Sequence, residues 1–118
     1  MTVSQGAYVA LGDCEKGTDY TPAPITLYLN GVIYPNFASF TIEGKVRKND
    51  QNGAEVTPSS FTIADGPMAQ IVPAAMSDTT TAALDCERLY WSCKGTSGGI
   101  VYPLCYGYIR VKPEATYT

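Results

Sequence analysis

The sequence predicts an all-β fold, a single antiparallel β-sandwich of about seven or eight strands with one short helical turn near residues 77–84. β-Branched and aromatic residues fill short runs in which apolar and polar side chains alternate, which is typical of strands with one buried face. Eleven glycines and eight prolines separate these runs at intervals of about 8–12 residues. The runs do not alternate with helical segments, so the pattern favours an antiparallel sandwich over a parallel α/β fold.

Residues 24–30 form the first clear strand, because their side chains alternate strictly between an apolar and a polar set. Asn30-Gly31 follows, and both residue types tolerate the positive φ angles of a tight hairpin turn. Residues 32–34 are therefore expected to return as the second strand.

Residues 38–47 carry the cleanest alternation in the chain. The side chains expected on the core face are those of Phe40, Ile42, Gly44 and Val46. The opposite face carries Lys45 and Arg47, and these two residues form the only cluster of basic residues in the sequence together with Lys48, which begins the following polar loop. We interpret this cluster as a solvated strand face, with the steering of an acidic partner as the alternative.

A short strand from residue 61 turns at Asp65-Gly66-Pro67 and returns to residue 72. The segment 73–85 then interrupts the strand pattern because it is rich in alanine and threonine. Ser77 or Asp78 can cap a single helical turn that ends by burying Leu84. We expect a corner between the two sheets here.

The last third of the chain predicts one long hairpin, with a flexible tip at residues 95–99 and a return strand over 100–112. The face expected in the core comprises Val101, Pro103, Cys105, Gly107, Ile109 and Val111. The outward face comprises Tyr102, Leu104, Tyr106, Tyr108 and Arg110. Because tyrosine combines a large apolar ring with a polar end, we predict that this face and Tyr8 form a protein–protein interface. The alternative is that strand propensity alone explains these aromatic residues.

Charge and composition argue against several classes of function. The formal net charge is −3 and the pI about 4.7, which disfavour nucleic acid or an anionic membrane as the main partner. Histidine, the commonest general base and metal ligand, is absent, and so is a Gly-x-Ser-x-Gly motif. We therefore predict a protein with no enzymatic activity, cofactor or metal. The N-terminus shows no signal-peptide pattern and no apolar run is long enough to span a membrane, so we expect synthesis in a cytosol.

Acidic residues and cysteines are the candidate sites of metal binding and cross-linking. Asp13, Glu15 and Asp19 could bind calcium, but their spacing does not form an EF-hand loop, so an ordinary acidic surface is favoured. The four cysteines are Cys14, Cys86, Cys93 and Cys105, and no two of them have the C-x-x-C spacing. We interpret them as reduced, buried thiols, with Cys93 and Cys105 pointing inward. A disulfide set in a secreted adhesion module is the alternative.

The order of several segments carries a family resemblance. Glu15-Lys16-Gly17-Thr18 precedes the first main strand, Gly44-Lys45-Val46-Arg47 ends another, and Thr79-Thr80-Thr81-Ala82-Ala83-Leu84 precedes an aromatic strand. The final strand contains Leu104-Cys105-Tyr106-Gly107 and then Ile109-Arg110-Val111-Lys112-Pro113-Glu114. In this order and spacing, roughly residues 12–117 resemble the small immunoglobulin-like domains of tailed bacteriophages.

The resemblance implies an immunoglobulin-like β-sandwich over residues 13–118, preceded by an N-terminal arm of residues 1–12. It implies a non-enzymatic virion structural protein, assembled in the host cytoplasm and packed in several copies on the tail, neck, baseplate or fibre-attachment region. Its partners would be other virion proteins and copies of itself. One alternative is a capsid decoration protein with the same fold. Another is a carbohydrate- or receptor-binding sandwich that uses exposed tyrosines and Trp91, although the alternation places Trp91 inward.

Overall fold

The computed structural model describes residues 2–4 and 6–113, which form two five-stranded sheets. In chain order the elements are β1 (Thr2–Ser4), β2 (Ala7–Tyr8), β3 (Cys14–Glu15), β4 (Ile25–Leu29), β5 (Val32–Ile33), a 3-10 turn (Phe37–Ser39), β6 (Thr41–Lys48), β7 (Ser60–Asp65), β8 (Gln70–Ala75), α1 (Asp78–Ala82), β9 (Arg88–Ser97) and β10 (Ile100–Lys112). The strands number ten, more than the seven or eight expected, because four of them span only two or three residues.

The strand order is that of an immunoglobulin-like sandwich. One sheet has the order β1-β4-β8-β7, with β5 also pairing with β4, and the other has the order β2-β10-β9-β6, with β3 also pairing with β10. The longer strands pair antiparallel, whereas β1, β2 and β3 pair parallel with their neighbours. Strands β4, β8 and β7 thus face β6, β9 and β10, as strands B, E and D face C, F and G in immunoglobulin domains. The predicted sandwich is confirmed.

The N-terminal segment contributes to both sheets. β1 pairs with β4 of one sheet, whereas β2 and β3 pair with β10 of the other. In the stretch between β2 and β3, the backbone N–H of Val9 donates to the Tyr106 carbonyl at 2.8 Å, and the Val9 side chain is buried. Met1 and Gln5 of the predicted arm lie outside the described residues.

The β4–β5 and β9–β10 hairpins turn through residues with positive φ. Asn30 and Gly31 have φ of 53° and 81°, which confirms the turn predicted between β4 and β5. Gly98 and Gly99, with φ of 58° and 79°, connect β9 to β10. This second tip is shorter than the predicted 95–99, because β9 continues to Ser97.

The helical turn confirms the expected corner between the sheets. Ser77 caps α1, since its side chain accepts a hydrogen bond from the Thr80 backbone N–H, and Leu84 is buried just after the turn. The strand predicted from residue 38 begins later, at Thr41, because the 3-10 turn buries Phe37 first. In the part of the chain that the structure describes, no helix has the length and apolar character needed to cross a bilayer.

The core lies between the two sheets around Trp91, which is fully buried. Two glycines allow neighbouring groups to pack close to Trp91, because glycine has no side chain. A Cβ on Gly44 would overlap the Phe61 ring, whose centroid lies 6.5 Å from that of Trp91. A Cβ on Gly107 would overlap the Val9 carbonyl oxygen and lie 3.0 Å from Trp91 Nε1. This packing therefore requires glycine at both positions.

A β-bulge in β10 changes which side chains face the core. The register with β9 shifts between Pro103 and Cys105, so Leu104 is an extra residue on β10, and Leu104 and Cys105 are both buried. Beyond the bulge the predicted alternation holds, with Ile109 and Val111 buried. The inward orientation predicted for Cys93 and Cys105 is confirmed.

On the tip side of the bulge the predicted faces were wrong. Leu104 is fully buried, and Tyr102 turns toward the core, with its ring centroid 5.6 Å from that of Phe40. Val101 and Pro103, which were expected inside, are exposed. The inserted residue inverts the alternation over this stretch, because side chains on a strand have a period of two.

Candidate interaction surface

The outer face of the sheet β2-β10-β9-β6 carries a cluster of four tyrosines. The rings of Tyr90 and Tyr108 are 5.4 Å apart and those of Tyr8 and Tyr106 are 5.6 Å apart, both pairs in edge-to-face geometry. Contacts of 6.3 Å between Tyr90 and Tyr106 and of 6.4 Å between Tyr8 and Tyr108 join the two pairs. The rings thus pack against one another as one aromatic surface.

Strand register explains why residues so far apart in sequence meet here. Tyr108 lies opposite Tyr90 across the β9–β10 pair, and Tyr106 lies beside Tyr8 across the β2–β10 pair. Directly opposite side chains on one sheet face are about 5 Å apart at Cβ, within reach of aromatic rings. Ser92, the residue opposite Tyr106 on β9, is small and lines an open pocket together with Tyr90 and Tyr106.

Basic residues surround this cluster. Of the eight lysines and arginines in the chain, seven lie on β6, β9 and β10, which together carry only one of the eleven acidic residues. Those on the outward side of these strands near the rings are Lys45, Arg47, Arg88, Lys94 and Arg110. We call the four tyrosines and these five residues the basic tyrosine face.

Several of these cations are held in place by local contacts. The Arg88 guanidinium lies 4.6 Å from the Tyr108 ring centroid, a cation–π contact, and its Nε donates to the Asn49 carbonyl at 2.8 Å. Arg47 donates to the Gly53 carbonyl at 3.2 Å. Each of these two cations is therefore oriented by a carbonyl group that does not neutralise its charge.

Ion pairing leaves most of the positive charge uncompensated. Lys94 lies 3.9 Å from Glu43, and both side chains are more than half exposed, so this pair contributes little energy. Among the described residues, Lys45 and Arg110 make no ion pair. The face therefore has a positive surface within a protein of net charge −3.

A polar loop borders the aromatic cluster. Asp50, Gln51 and Asn52, just after β6, form one wall of an open groove of about 460 Å³, and tyrosines 90, 106 and 108 form the other. Asp50 Oδ1 accepts the Asn52 backbone N–H at 2.9 Å, which fixes the loop. Burial, together with the neighbouring hydroxyls of Tyr108 and Tyr106, raises the pKa of Tyr90 above its ordinary value.

The structure brings together part of the predicted interface. Tyr8, Tyr106, Tyr108 and Arg110 lie on the basic tyrosine face as expected, whereas Leu104 is fully buried and Tyr102 is half-buried with its ring packed against the core. Sequence reasoning missed Tyr90, Arg88 and Lys94. The strict alternation of β9 around the buried Leu89, Trp91 and Cys93 was the signal that could have placed them outward.

Acidic residues that were considered for calcium make other contacts. Asp13 lies 3.5 Å from Lys112, and Asp19 Oδ1 accepts the Asp78 backbone N–H at 2.8 Å. Within residues 2–4 and 6–113, no group of three or more cysteine, aspartate or glutamate side chains is arranged to hold a metal ion. The four cysteines are free thiols, and Cys93 lies directly opposite Cys105 across the β9–β10 pair.

No known protein family model matches this chain, and no curated protein matches it.

Proposed function

We propose that this protein is a non-enzymatic structural protein of a bacteriophage virion, present in several copies on the tail, neck, baseplate or fibre-attachment region. The order of sequence segments that resembles phage immunoglobulin-like domains supports this origin, and the sandwich fold is consistent with it. The observation that carries the proposed mode of action is the basic tyrosine face. It is a preorganised surface for docking onto an acidic protein surface.

The chemistry of the face suits a protein partner. Tyrosine and arginine are enriched in protein–protein interfaces. Tyrosine supplies a large contact area at a low cost in side-chain entropy, and arginine supplies a planar charged group with five hydrogen-bond donors. Here the rings already contact one another and Arg88 is already stacked on Tyr108, so little side-chain freedom remains to be lost on docking. The uncompensated cations Lys45 and Arg110 favour an acidic partner and would accelerate association.

Purified virions test this function directly. An antibody raised against the chain, detected with immunogold, is expected to label the tail, neck or fibre base. Label over the whole head would instead assign the alternative role of capsid decoration with the same fold. Intact virions that lack the chain would refute a structural role.

Two matched variants test the face itself. Lys45→Glu combined with Arg110→Glu reverses two of the five positive charges of the basic tyrosine face, whereas Thr62→Glu adds a charge to the exposed side of β7 on the other sheet. We expect the first variant to be lost from virions and the second to be incorporated like the wild-type protein. Equal incorporation of both would show that the face is not the docking surface.

A carbohydrate-binding role is the second candidate, because the groove between the tyrosine rings and the polar loop combines stacking surfaces with hydrogen-bonding groups. Trp91 takes no part in such a site, since it is fully buried. In this case the isolated chain would bind a neutral glycan, and Asn52→Ala would weaken that binding while leaving incorporation into virions unchanged.

A further inference from the structure

We propose that the acidic partner of the basic tyrosine face is a second copy of this chain, which docks through the acidic end of its own sandwich. This inference rests on the proposed function and names the surface that the face recognises. The contact is heterologous, because two different surfaces of the same chain meet in it. Such a contact repeats from copy to copy and builds a ring or a filament.

The acidic end is formed where β10 finishes. β3 pairs with the last residues of β10, and the Val111 backbone N–H donates to the Glu87 carbonyl at 2.9 Å, so segments far apart in sequence converge there. The Asp78 backbone N–H donates a hydrogen bond to Asp19, which brings the start of α1 to the same end of the sandwich. The acidic residues gathered at this end are Asp13, Glu15, Asp19, Asp78, Asp85 and Glu87, and the basic ones, half as many, are Lys16, Lys48 and Lys112.

Part of this negative charge is not neutralised within the molecule. Asp85 pairs with Lys48 at 2.8 Å, and Asp13 pairs with Lys112 at 3.5 Å. Asp19, Asp78 and Glu87 are exposed and make no ion pair with another described residue. The acidic end therefore presents carboxylates to solvent, as the basic tyrosine face presents ammonium and guanidinium groups.

Charge excludes the other surfaces of the chain as the partner of the face. Two basic tyrosine faces brought together would place like charges opposite one another, which is strongly unfavourable in interfaces. The other sheet is almost uncharged, since β4, β5, β7 and β8 contain a single charged residue, Asp65. It offers Lys45 and Arg110 a single carboxylate to pair with. The acidic end is the surface in the described chain whose charge complements the face.

Sedimentation of the full chain tests the contact. At about 0.05 M salt we expect the average mass to rise above that of the monomer as the concentration goes from micromolar to millimolar. At about 1 M salt, where the Debye length is about 3 Å, we expect association to weaken at least tenfold. A monomeric mass at every concentration in low salt would overturn the proposal.

Charge exchange makes the test specific. The face variant Lys45→Glu with Arg110→Glu and the end variant Asp19→Lys with Glu87→Lys should each associate far more weakly than the wild-type chain, because each variant loses most of the net charge on one of the two docking surfaces. An equimolar mixture should associate again, since each variant then supplies what the other lacks. Thr62→Glu, on the uncharged sheet, should associate like the wild-type chain. A mixture that stays monomeric would overturn the proposal.

The outcomes separate this inference from the proposed function. If the wild-type chain is monomeric but is still incorporated into virions, and the face variant is not incorporated, the face binds a different acidic virion protein. A monomeric chain that binds a neutral glycan through the tyrosine groove would assign the face to carbohydrate. Both results refute docking between copies, whereas only the second also contradicts the proposed protein interface.

Discussion

Replacement of Gly107 by alanine tests whether the N-terminal segment is an integral part of the sandwich. Gly107 lies on the core side of β10, where an added Cβ would overlap the Val9 carbonyl oxygen. A backbone oxygen cannot move away as the end of a flexible side chain can. The segment around Val9 must therefore shift or leave its place beside β10.

The structure sets the size of the effect. Overpacking in a core costs about 1–3 kcal/mol even when the surroundings adjust. Complete release of the segment would forfeit the burial of Val9, worth about 1.5–3 kcal/mol, and its hydrogen bond to Tyr106, worth about 1 kcal/mol, while regaining some chain entropy. We expect Gly107→Ala to lower the free energy of unfolding by about 2–3 kcal/mol, or the Tm by about 8–12 °C.

Urea unfolding followed by Trp91 fluorescence measures this loss, because the buried indole lies beside Gly107 and becomes solvated on unfolding. Gly12→Ala is the matched control, since no atom lies within 4 Å of its added Cβ, and it should change stability by less than about 0.5 kcal/mol. A double-mutant cycle with Val9→Ala identifies the mechanism. Val9→Ala should destabilise the wild-type chain and have almost no effect on Gly107→Ala. Additive losses, or an unchanged stability of Gly107→Ala, would refute the reasoning.

Three further predictions use the same unfolding assay. Leu104→Ala should lose about 2–5 kcal/mol, whereas Tyr106→Ala, on the outer face, should lose about 1 kcal/mol; similar small losses for both would contradict the bulge. Burial raises the pKa of Cys93 to about 12 and raises that of Cys105 as well, so the unfolded state releases thiol protons first. Stability should therefore fall as the pH rises from about 8.5 to 10, by up to about 1.4 kcal/mol per pH unit for each thiol, and a Cys93→Ala variant that keeps the full slope would contradict this cause. Ser77→Ala should cost about 0.5–1 kcal/mol, at the low end for a helix cap, because its hydrogen bond to the Thr80 N–H is long at 3.4 Å; no loss would show that the cap is not effective.

The fold was predictable because its signals are local. The alternation of β4, the Asn30-Gly31 turn and the cap at Ser77 depend on neighbouring residues, and each is found where the sequence predicts it. The bulge in β10 was not predicted, because register depends on the pairing with β9. Pro103 was nevertheless a signal: a residue without an N–H in a strand that is paired on both sides is typical of a bulge.

The candidate site was only half predictable, because it depends on contacts between distant segments. The alternation within β10 alone predicts that Tyr106, Tyr108 and Arg110 share one face. The register with β9 adds Tyr90 and Arg88, and the parallel pairing of β2 fixes the position of Tyr8. Nothing in the local sequence specifies these pairings, and the charge pattern was hidden for the same reason.

Net charge conceals the electrostatic organisation of this protein. A value of −3 argues against anionic partners only if the charges are evenly distributed over the surface. The fold instead collects seven of the eight basic residues on three adjacent strands, which contain one of the eleven acidic residues, and only Lys48 and Lys112 at the ends of these strands pair with the acidic end. Because screening limits each charge to about 10 Å at 0.1 M salt, a partner responds to the patch that it meets and not to the total. The same chain can therefore repel anions at one surface and attract them at another, which is the condition that head-to-tail assembly requires.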